Sequence, residues 1–345
     1  MGSTREETMN LKLATTAAIA ATSLTLLSGG VLAQEFQLTY STSYSPTHPY
    51  GAADELWIER IEEQTDGRVS IAPFWGGSLI TSREGVDELA AGVADIAFIA
   101  PIYASSGYNL SRVTPQFFYG YEDAQDVLSV YLDLWNQYPQ FAEELDGVKV
   151  LAFNVGTPMH LMLRNAPFEE LADLQGLRIR SAVDYVGALA NFGAEGVTMP
   201  MTDTYPSLQR GVLDGVIAPY EALKSLSFGE VINYYSELPH SRGAYPSRAM
   251  NGATWDSLPE DIQQVFEDNI EWWTQTNYEL SQEAEDAGRA YGEEMGVQFN
   301  AVDEAVIAEY SAAFEATAQE AAQQLDAKGL PGTEILQQIR SAHQD

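Results

Sequence analysis

The first part of the chain alternates between strand patterns and helical patterns. Residues 36–41 alternate apolar and polar positions and predict a strand, whereas positions 52, 56, 57 and 61 are apolar at helical spacing. Asp66-Gly67 ends that helix, and residues 69–71 predict the next strand. A helical pattern over 86–93 leads into an apolar strand over 94–100. This order predicts a parallel sheet covered by helices on both faces.

The same plan returns in the second part of the chain. Strands are predicted over 148–155, 177–181 and 214–219, helices over 186–192 and 204–211, and an extended segment over 198–201. Thr202 or Asp203 is the expected cap of the helix over 204–211.

Long helices are predicted near the C-terminus. Ser257-Leu258-Pro259-Glu260 has the composition of a capping box with proline in the first turn, and it predicts the start of a long helix. A second helix is predicted from about 303 to 328, ending at Gly329 and Pro331. The fold class expected is α/β, with two lobes, a hinge and long C-terminal helices.

The mature length suggests two domains, at about 150 residues each. We expect an N-terminal lobe of residues 34–155 together with about 245–285. The C-terminal lobe would comprise residues 156–244 together with about 286–345.

The N-terminus has the pattern of a secretory signal. Lys12 precedes an apolar run over 13–27, and a small-residue cleavage pattern ends at Ala33. We expect Met9 to be the working start and residues 1–33 to be removed. The alternative is a buried N-terminal helix, but the run has no polar face. Cleavage would leave a periplasmic protein that begins at Gln34.

Composition and charge exclude several classes of function. The formal net charge is −33, which disfavours nucleic acid and anionic membranes as partners. The sequence has no cysteine, which removes disulfides, thiolate catalysis and zinc–thiolate sites. None of the four histidines has a metal-ligand spacing, and no nucleophile elbow or phosphate loop occurs. We therefore predict no metal, no cofactor and no catalytic residue.

Two arginines in one predicted strand are the strongest candidates for chemistry. Arg178 and Arg180 alternate with Leu177 and Ile179, so both arginines point to the same side. Arg180 lies at the carboxyl end of the strand, where open α/β sheets bind ligands, and a guanidinium there matches a carboxylate. The other possibility is surface pairing with acidic residues, which we favour for Arg178.

Residues 173–225 resemble the solute receptors of tripartite ATP-independent periplasmic (TRAP) transporters, the family that includes the C4-dicarboxylate-binding and sialic-acid-binding proteins. The resemblance rests on a strand ending in Arg, a Gly-Ala, a Met-Pro, a Tyr-x-x-Leu-Gln helix and an Asp-Gly. The matching positions are Arg180, Gly193-Ala194, Met199-Pro200, Tyr205, Leu208-Gln209, Gly211 and Asp214-Gly215. The segment from Thr254 also resembles the family's Trp-x-x-Leu-Pro segment, and the resemblance covers essentially the whole mature chain.

The resemblance implies a receptor that holds a small organic acid between two lobes and delivers it to a membrane permease. Arg180 would pair with the ligand's carboxylate, and the protein would act as a monomer. Members for dicarboxylates and sialic acid carry a second arginine near Gly156-Thr157, where this chain has Pro158-Met159-His160. A monocarboxylate with a hydroxylated, branched or aromatic body is therefore the expected ligand.

Further ligand contacts are expected from six residues, three of which have a stated structural alternative. They are Tyr220, Glu221, His160, Met201, Tyr103 and Tyr44. Glu221 could instead cap or solvate the next helix, His160 could be a core or hinge histidine, and Met201 could be core. Tyr44 and Tyr103 follow predicted strands in the first lobe and would close over the ligand.

Other functions remain open at this stage. The same fold would serve a receptor for a signalling kinase, and a zwitterionic osmolyte such as ectoine also carries a carboxylate for Arg180. An exported enzyme is the third alternative, and ligand turnover would reveal it.

Overall fold

The computed structural model describes residues 35–182, 185–240 and 242–343, so the predicted signal segment lies outside the described residues. The first lobe is built on a five-stranded sheet in the order β2-β1-β3-β10-β4. Its strands are β1 (Phe36–Ser41), β2 (Val69–Phe74), β3 (Ile96–Phe98), β4 (Val148–Val155) and β10 (Ala244–Asn251). The strands β1, β2 and β3 are parallel, as predicted, whereas β10 runs antiparallel between β3 and β4.

Helices cover the first sheet. They are α1 (Pro49–Gln64), α2 (Gly85–Ala90), α3 (Asn109–Val113), α4 (Ala124–Gln137) and α5 (Gln140–Glu143). The buried face of α1 differs from the predicted one: Ala53, Trp57, Ile58 and Ile61 are buried, whereas Leu56 is 44% exposed. The apolar spacing predicts the helix correctly, but its buried face is rotated by about one residue from the predicted one.

The second lobe contains a six-stranded sheet in the order β11-β9-β5-β8-β6-β7. Its strands are β5 (Met159–Leu163), β6 (Arg178–Ser181), β7 (Glu195–Thr198), β8 (Gly215–Ala218), β9 (Tyr234–His240) and β11 (Gln298–Ala301). The strands β6, β7 and β8 are parallel, and β5 is antiparallel to both β8 and β9. The accompanying helices are α6 (Val186–Asn191), α7 (Thr204–Gln209) and α8 (Glu221–Ser225).

Five helices follow β10 along the chain. They are α9 (Gly252–Ser257), α10 (Glu260–Asp268), α11 (Ile270–Met295), α12 (Glu304–Asp326) and α13 (Gly332–Ala342). The predicted capping box does not form, because Ser257 ends α9 and its hydroxyl donates to the Thr254 carbonyl oxygen. Pro259 precedes α10 without a side-chain cap, and the predicted long helix is interrupted at Asn269. Asp203 precedes α7 at the predicted cap position, but its side chain makes no capping hydrogen bond.

The long helix α11 packs against both lobes. Its Thr274 hydroxyl accepts a hydrogen bond from the Phe153 amide in the first lobe. Farther along, Gly288 lies against the second lobe so closely that a Cβ atom would be 2.1 Å from the Tyr220 carbonyl oxygen. A glycine is required at this contact, and α11 thereby braces the two lobes from behind.

Two connections between strands carry the chain from one lobe to the other: β4 leads into β5, and β9 leads back into β10. Gly243 in the second connection has φ of 63°, and a Cβ there would lie 2.5 Å from the Pro115 Cα. The last helix, α13, contributes Leu336 and Ile339 to an apolar cluster of the first lobe. The sequence-based division counts this helix with the second lobe, whereas Leu336 and Ile339 pack both on residues of the first lobe and on α12.

Candidate functional site

Arg180 lies at the carboxyl end of β6, where the two lobes meet. The alternation of the strand turns Ile179 into the core and Arg180 toward the other lobe, yet the Arg180 side chain is only 2% exposed. Its Nε and Nη2 both donate to the Met199 carbonyl oxygen, at 3.0 and 2.9 Å. The guanidinium is therefore held in one orientation by the backbone of its own lobe.

Tyr103 meets Arg180 from the first lobe. It ends the short 3₁₀ turn Pro101–Tyr103 that follows β3, so it too lies at the carboxyl end of a strand. Arg180 Nη2 donates to the Tyr103 hydroxyl oxygen at 2.9 Å, and the guanidinium carbon lies 5.6 Å from the centre of the tyrosine ring. One arginine thus links the facing edges of the two sheets.

An aromatic wall lines the first lobe at this junction. We define it as Tyr44, Tyr50, Phe98, Tyr103 and Tyr245, which form one buried cluster. The ring of Tyr44 contacts those of Tyr50 and Phe98, at 4.8 and 5.2 Å between centroids. Burial raises the pKa of Tyr44, Tyr50 and Tyr245, so their hydroxyls stay neutral and can both donate and accept hydrogen bonds.

A second guanidinium, that of Arg242, reaches the same wall from the connection between β9 and β10. Its carbon lies 5.7 Å from the centre of the Tyr50 ring. Burial by itself lowers the pKa of Arg242, whereas the neighbouring Glu221 carboxylate raises it, and the pKa is raised overall. Arg242 is therefore a permanent positive charge in the cleft.

Glu221 and His48 face each other across the lobes, with His48 Nε2 3.8 Å from Glu221 Oε2. Burial raises the pKa of Glu221 to about 7, although Ser225, which donates to this carboxylate, and Arg242 act in the opposite direction. Burial lowers the pKa of His48, whose Nδ1 accepts a hydrogen bond from the Tyr50 amide. The neutral imidazole then carries its proton on Nε2, facing Glu221.

Glu285 of α11 fixes the crossing between the lobes. Its carboxylate accepts from the Thr157 hydroxyl at 2.7 Å and from the Tyr220 amide at 3.0 Å. It therefore joins the connection after β4 to the start of α8. Burial raises the pKa of Glu285.

A buried ion pair supports the aromatic wall from below. Arg248 on β10 donates through Nε and Nη2 to the Asp54 carboxylate, at 2.8 and 3.0 Å. Trp273 and Tyr40 donate to the same carboxylate, at 3.0 and 2.6 Å. The Arg248 guanidinium also lies 4.9 Å from the ring centre of Phe98. This network fixes the floor of the cleft in place.

Four of the seven predicted site residues meet at the junction of the lobes. They are Tyr44, Tyr103, Arg180 and Glu221. Met201 is buried in an apolar cluster of the second lobe with Met162 and Leu208.

His160 and Tyr220 lie elsewhere in the second lobe. Their rings are 5.5 Å apart, and Tyr220 stacks on Tyr235. The Tyr220 hydroxyl donates to Glu237 at 2.7 Å, and burial lowers the pKa of His160 to about 4. Among the described residues, no hydrogen bond joins either side chain to Arg180.

Sequence reasoning did not select Arg242, His48, Tyr50 or Tyr245. Arg242 is followed by Gly243 at a crossing between lobes, but no local pattern marks that crossing. His48 stands in a turn-rich loop, and that pattern by itself predicts no ligand contact. Arg178, in contrast, pairs with Asp214 as expected, with its Nε donating at 3.2 Å, and remains at the surface.

No metal centre accompanies this site in the described ranges, where no group of three or more histidine or acidic side chains is arranged to hold an ion. None of the helices in the same ranges has the length and apolar character of a membrane span.

Two sheets whose strand ends face each other across an arginine-containing cleft define a two-lobed binding protein. The model of the bacterial extracellular solute-binding proteins, family 7, matches residues 40–324, and the chain belongs to this family. The resemblance to TRAP receptors is confirmed, and with it the two-lobed α/β fold.

Relatives of the chain include solute-binding proteins. A solute-binding protein of Roseobacter denitrificans is 27% identical over 308 residues, covering 86% of this chain and 89% of the relative. The C4-dicarboxylate-binding periplasmic protein DctP of Rhodobacter capsulatus is 26% identical over 257 residues, covering 73% of this chain and 76% of the relative.

Solved structures share the fold. A TRAP solute-binding protein of Bordetella bronchiseptica with bound mandelate has a TM-score of 0.78 at 22% identity, covering 89% of this chain and 98% of that one. A protein of Chromohalobacter salexigens with bound D-glucuronate has a TM-score of 0.75 at 21% identity, covering 88% and 99%.

Proposed function

We propose that this protein captures a small organic acid between its lobes and delivers it to a TRAP membrane permease. The observation that carries the proposal is Arg180, a buried guanidinium held by the Met199 carbonyl and turned toward the other lobe. Within the described residues its Nη1 makes no hydrogen bond, so this nitrogen is available for a ligand oxygen. A carboxylate is the group that a guanidinium pairs with best.

The moving units in this proposal are the two lobes, which the sequence divides into residues 34–155 with about 245–285 and residues 156–244 with about 286–345. The helix α13 would move with the first lobe, against which it packs. Opening separates Tyr103 from Arg180 and exposes the guanidinium, and the ligand carboxylate then pairs with it. Closure brings the aromatic wall over the rest of the ligand and removes water, which strengthens the ion pair. Tyr44 and Glu221 lie where they would contact the ligand's body.

The proposed ligand class agrees with what related proteins bind. Relatives of known structure hold mandelate, 3-hydroxybenzoate and D-glucuronate, each of which has one carboxylate and at least one hydroxyl. An acid of this kind would suit the neutral tyrosine hydroxyls of the aromatic wall. We propose that the protein acts as a monomer. We also propose that it is not a catalyst, so that the ligand leaves the cleft chemically unchanged.

Export is part of the same proposal. Cleavage after Ala33 would release a mature chain beginning at Gln34 into the periplasm. Intact mass measurement of the protein purified from the periplasmic fraction would give that mass, whereas an uncleaved chain would contradict the proposal.

The decisive experiment is native mass spectrometry of the purified protein, followed by release and identification of any copurified acid. Replacing Arg180 by Ala should weaken binding of that acid by about 2–5 kcal/mol, because a buried carboxylate loses its partner. The matched control is Arg178→Lys on the same strand, which should bind normally. Equal affinity in Arg180→Ala and the unmodified protein would refute the proposal.

A further inference from the structure

Glu221 is a buried carboxylate at the start of α8, and ionisable groups face it from several elements. The residue is only 3% exposed. Ser225 on its own helix donates to the carboxylate, and His48 Nε2 of the first lobe lies 3.8 Å from its Oε2. Arg242 of the lobe crossing and Glu285 of α11 act on it electrostatically, in opposite directions. The charge of Glu221 therefore acts on both lobes, on the crossing and on α11.

A groove of about 420 Å³ lies on the α11 side of Glu221. Its walls come from both lobes and from α11, and they include Thr47 of the first lobe and Leu280 of α11. The charged groups that line it beside Glu221 are Lys224 and Glu283, both of which are exposed. Their opposite charges offset each other and are screened by water. Because Glu221 lines this groove, a proton can reach its carboxylate without passing the ligand.

The charges that the described residues place around the cleft balance before a ligand enters. Arg180 and Arg242 are two positive charges, and Glu221 and Glu285, when ionised, are two negative charges. His48 stays neutral, because burial and the nearby guanidiniums lower its pKa. An organic acid that binds as an anion adds one negative charge, and like charges repel strongly where closed lobes exclude water. One proton would restore the balance.

Glu221 is the carboxylate best suited to take that proton. Burial raises its pKa to about 7, so near neutral pH a small further increase leaves it protonated. Glu285, in contrast, accepts hydrogen bonds from one hydroxyl and two backbone amides, and these favour its ionised form. The Asp54 carboxylate is paired with the Arg248 guanidinium through two hydrogen bonds. Glu221 therefore binds a proton at the lowest cost among these three carboxylates.

We propose that Glu221 takes up a proton when the anionic ligand binds, so that the closed, loaded receptor carries the acid together with a proton. The proton comes from the surrounding water and forms an O–H bond on the Glu221 carboxylate, and no other bond changes. This inference rests on the proposed function and adds a pH dependence to it. Above a pH of about 7 the loaded protein holds a proton that the free protein has released, so affinity should fall as the pH rises.

Isothermal titration calorimetry in phosphate and in Tris would count the protons, because the two buffers release a proton with different enthalpies. The probes are mandelate, 3-hydroxybenzoate and D-glucuronate, the acids held by relatives of known structure. Carboxyl groups of this kind have pKa values of about 4, so they are already ionised at neutral pH. The unmodified chain should take up about half a proton or more per ligand at pH 7.5, and almost none at pH 6, where Glu221 is already protonated.

The same titrations give the pH dependence of Kd. The unmodified chain should bind the probe about 5-fold or more weakly at pH 8.5 than at pH 6.5, if the ligand raises the pKa of Glu221 by about one unit or more. Glu221→Gln replaces the protonated carboxyl by a neutral amide, so it should take up no proton, and its Kd should change by less than about 2-fold over this range. The matched control is Glu283→Gln, an exposed carboxylate that lines the same groove, and it should keep the uptake.

The outcomes separate this inference from the proposed function. If a probe binds the unmodified chain without proton uptake at pH 7.5, the inference is refuted and the receptor function stands, and this measurement needs no variant to fold. Uptake that persists in Glu221→Gln would refute the assignment of the proton to Glu221. If no acid stabilises the unmodified chain in a broader screen of carboxylates, the receptor proposal itself fails.

Discussion

The hydroxyl oxygen of Tyr103 accepts a hydrogen bond from Nη2 of Arg180 at 2.9 Å, and the two residues belong to different lobes. Seventy-seven positions separate them in the chain. The hydroxyl still has its own hydrogen to donate, so it can bond a ligand carboxylate while it accepts from the arginine. In the proposed closed state Tyr103 therefore accepts a hydrogen bond from Arg180 and donates one to the ligand carboxylate.

Replacing Tyr103 by Phe should weaken binding of the cognate acid by about 1.5–3 kcal/mol, or about 10- to 100-fold, because a charge-assisted hydrogen bond is lost and the ring is kept. Isothermal titration calorimetry would measure the change in Kd. Tyr108→Phe is the control, since its hydroxyl donates to Asp87 at the surface. An unchanged Kd in Tyr103→Phe would show that the hydroxyl does not contact the ligand.

Glu221 should make stability depend on pH. Burial raises its pKa from 4.5 to about 7 in the folded protein. Between these two values the folded state holds a proton that the unfolded state has released, so this residue lowers the free energy of unfolding as the pH rises through that range. Glu221→Gln removes this pH dependence. The free energy of unfolding of the variant, relative to that of the unmodified chain, should therefore increase by on the order of 3 kcal/mol between pH 5 and pH 8.

Urea unfolding of both ligand-free proteins at pH 5 and pH 8 would measure that difference. Burial also raises the pKa of Glu144, which contributes alike to both proteins. Glu285 is electrostatically coupled to Glu221, so the difference between the two proteins reports Glu221 together with its effect on Glu285. A difference that stays constant with pH would contradict the prediction.

Removing Asp54 should destabilise the first lobe strongly. Asp54→Ala leaves Arg248 as a buried, unpaired charge and should cost about 3–5 kcal/mol of the free energy of unfolding. The control is Lys149→Ala, which breaks a partly exposed pair with Glu267 and should cost about 0–1 kcal/mol. Chemical denaturation at neutral pH would compare them, and equal losses would show that the buried network does not stabilise the lobe.

Gly156→Ala should displace Arg242, because the new Cβ would lie 2.2 Å from its Cδ. We expect a loss of at most about 1 kcal/mol in stability, because the atoms that must move are the flexible end of the Arg242 side chain. The double variant Gly156→Ala/Arg242→Ala should be no less stable than Arg242→Ala alone, because the clash is then absent. Thermal unfolding would measure the stability of all three variants. If the double variant loses the sum of the two single losses, the effect of Gly156→Ala does not come from a clash with Arg242.

The sequence by itself determined part of the regular structure. The strand over 36–41 and that over 148–155 have the predicted bounds, and Asp303 caps α12 near its predicted start. These elements rest on local alternation, helical spacing and side-chain capping, which act over a few residues. Arg180 was also found this way, since strand alternation and a position at a strand's carboxyl end are both visible in the sequence.

Other elements and contacts depended on the tertiary structure. The strands β5, β9, β10 and β11 are specified by pairing with distant strands, and β10 returns to the first sheet from the second lobe. Arg242, His48 and Tyr245 meet in the cleft only because two lobe crossings and a long brace helix bring them there. Local propensity acts along the chain, whereas a cleft between lobes is made of contacts between residues far apart in sequence, and such contacts exist only once both sheets have formed.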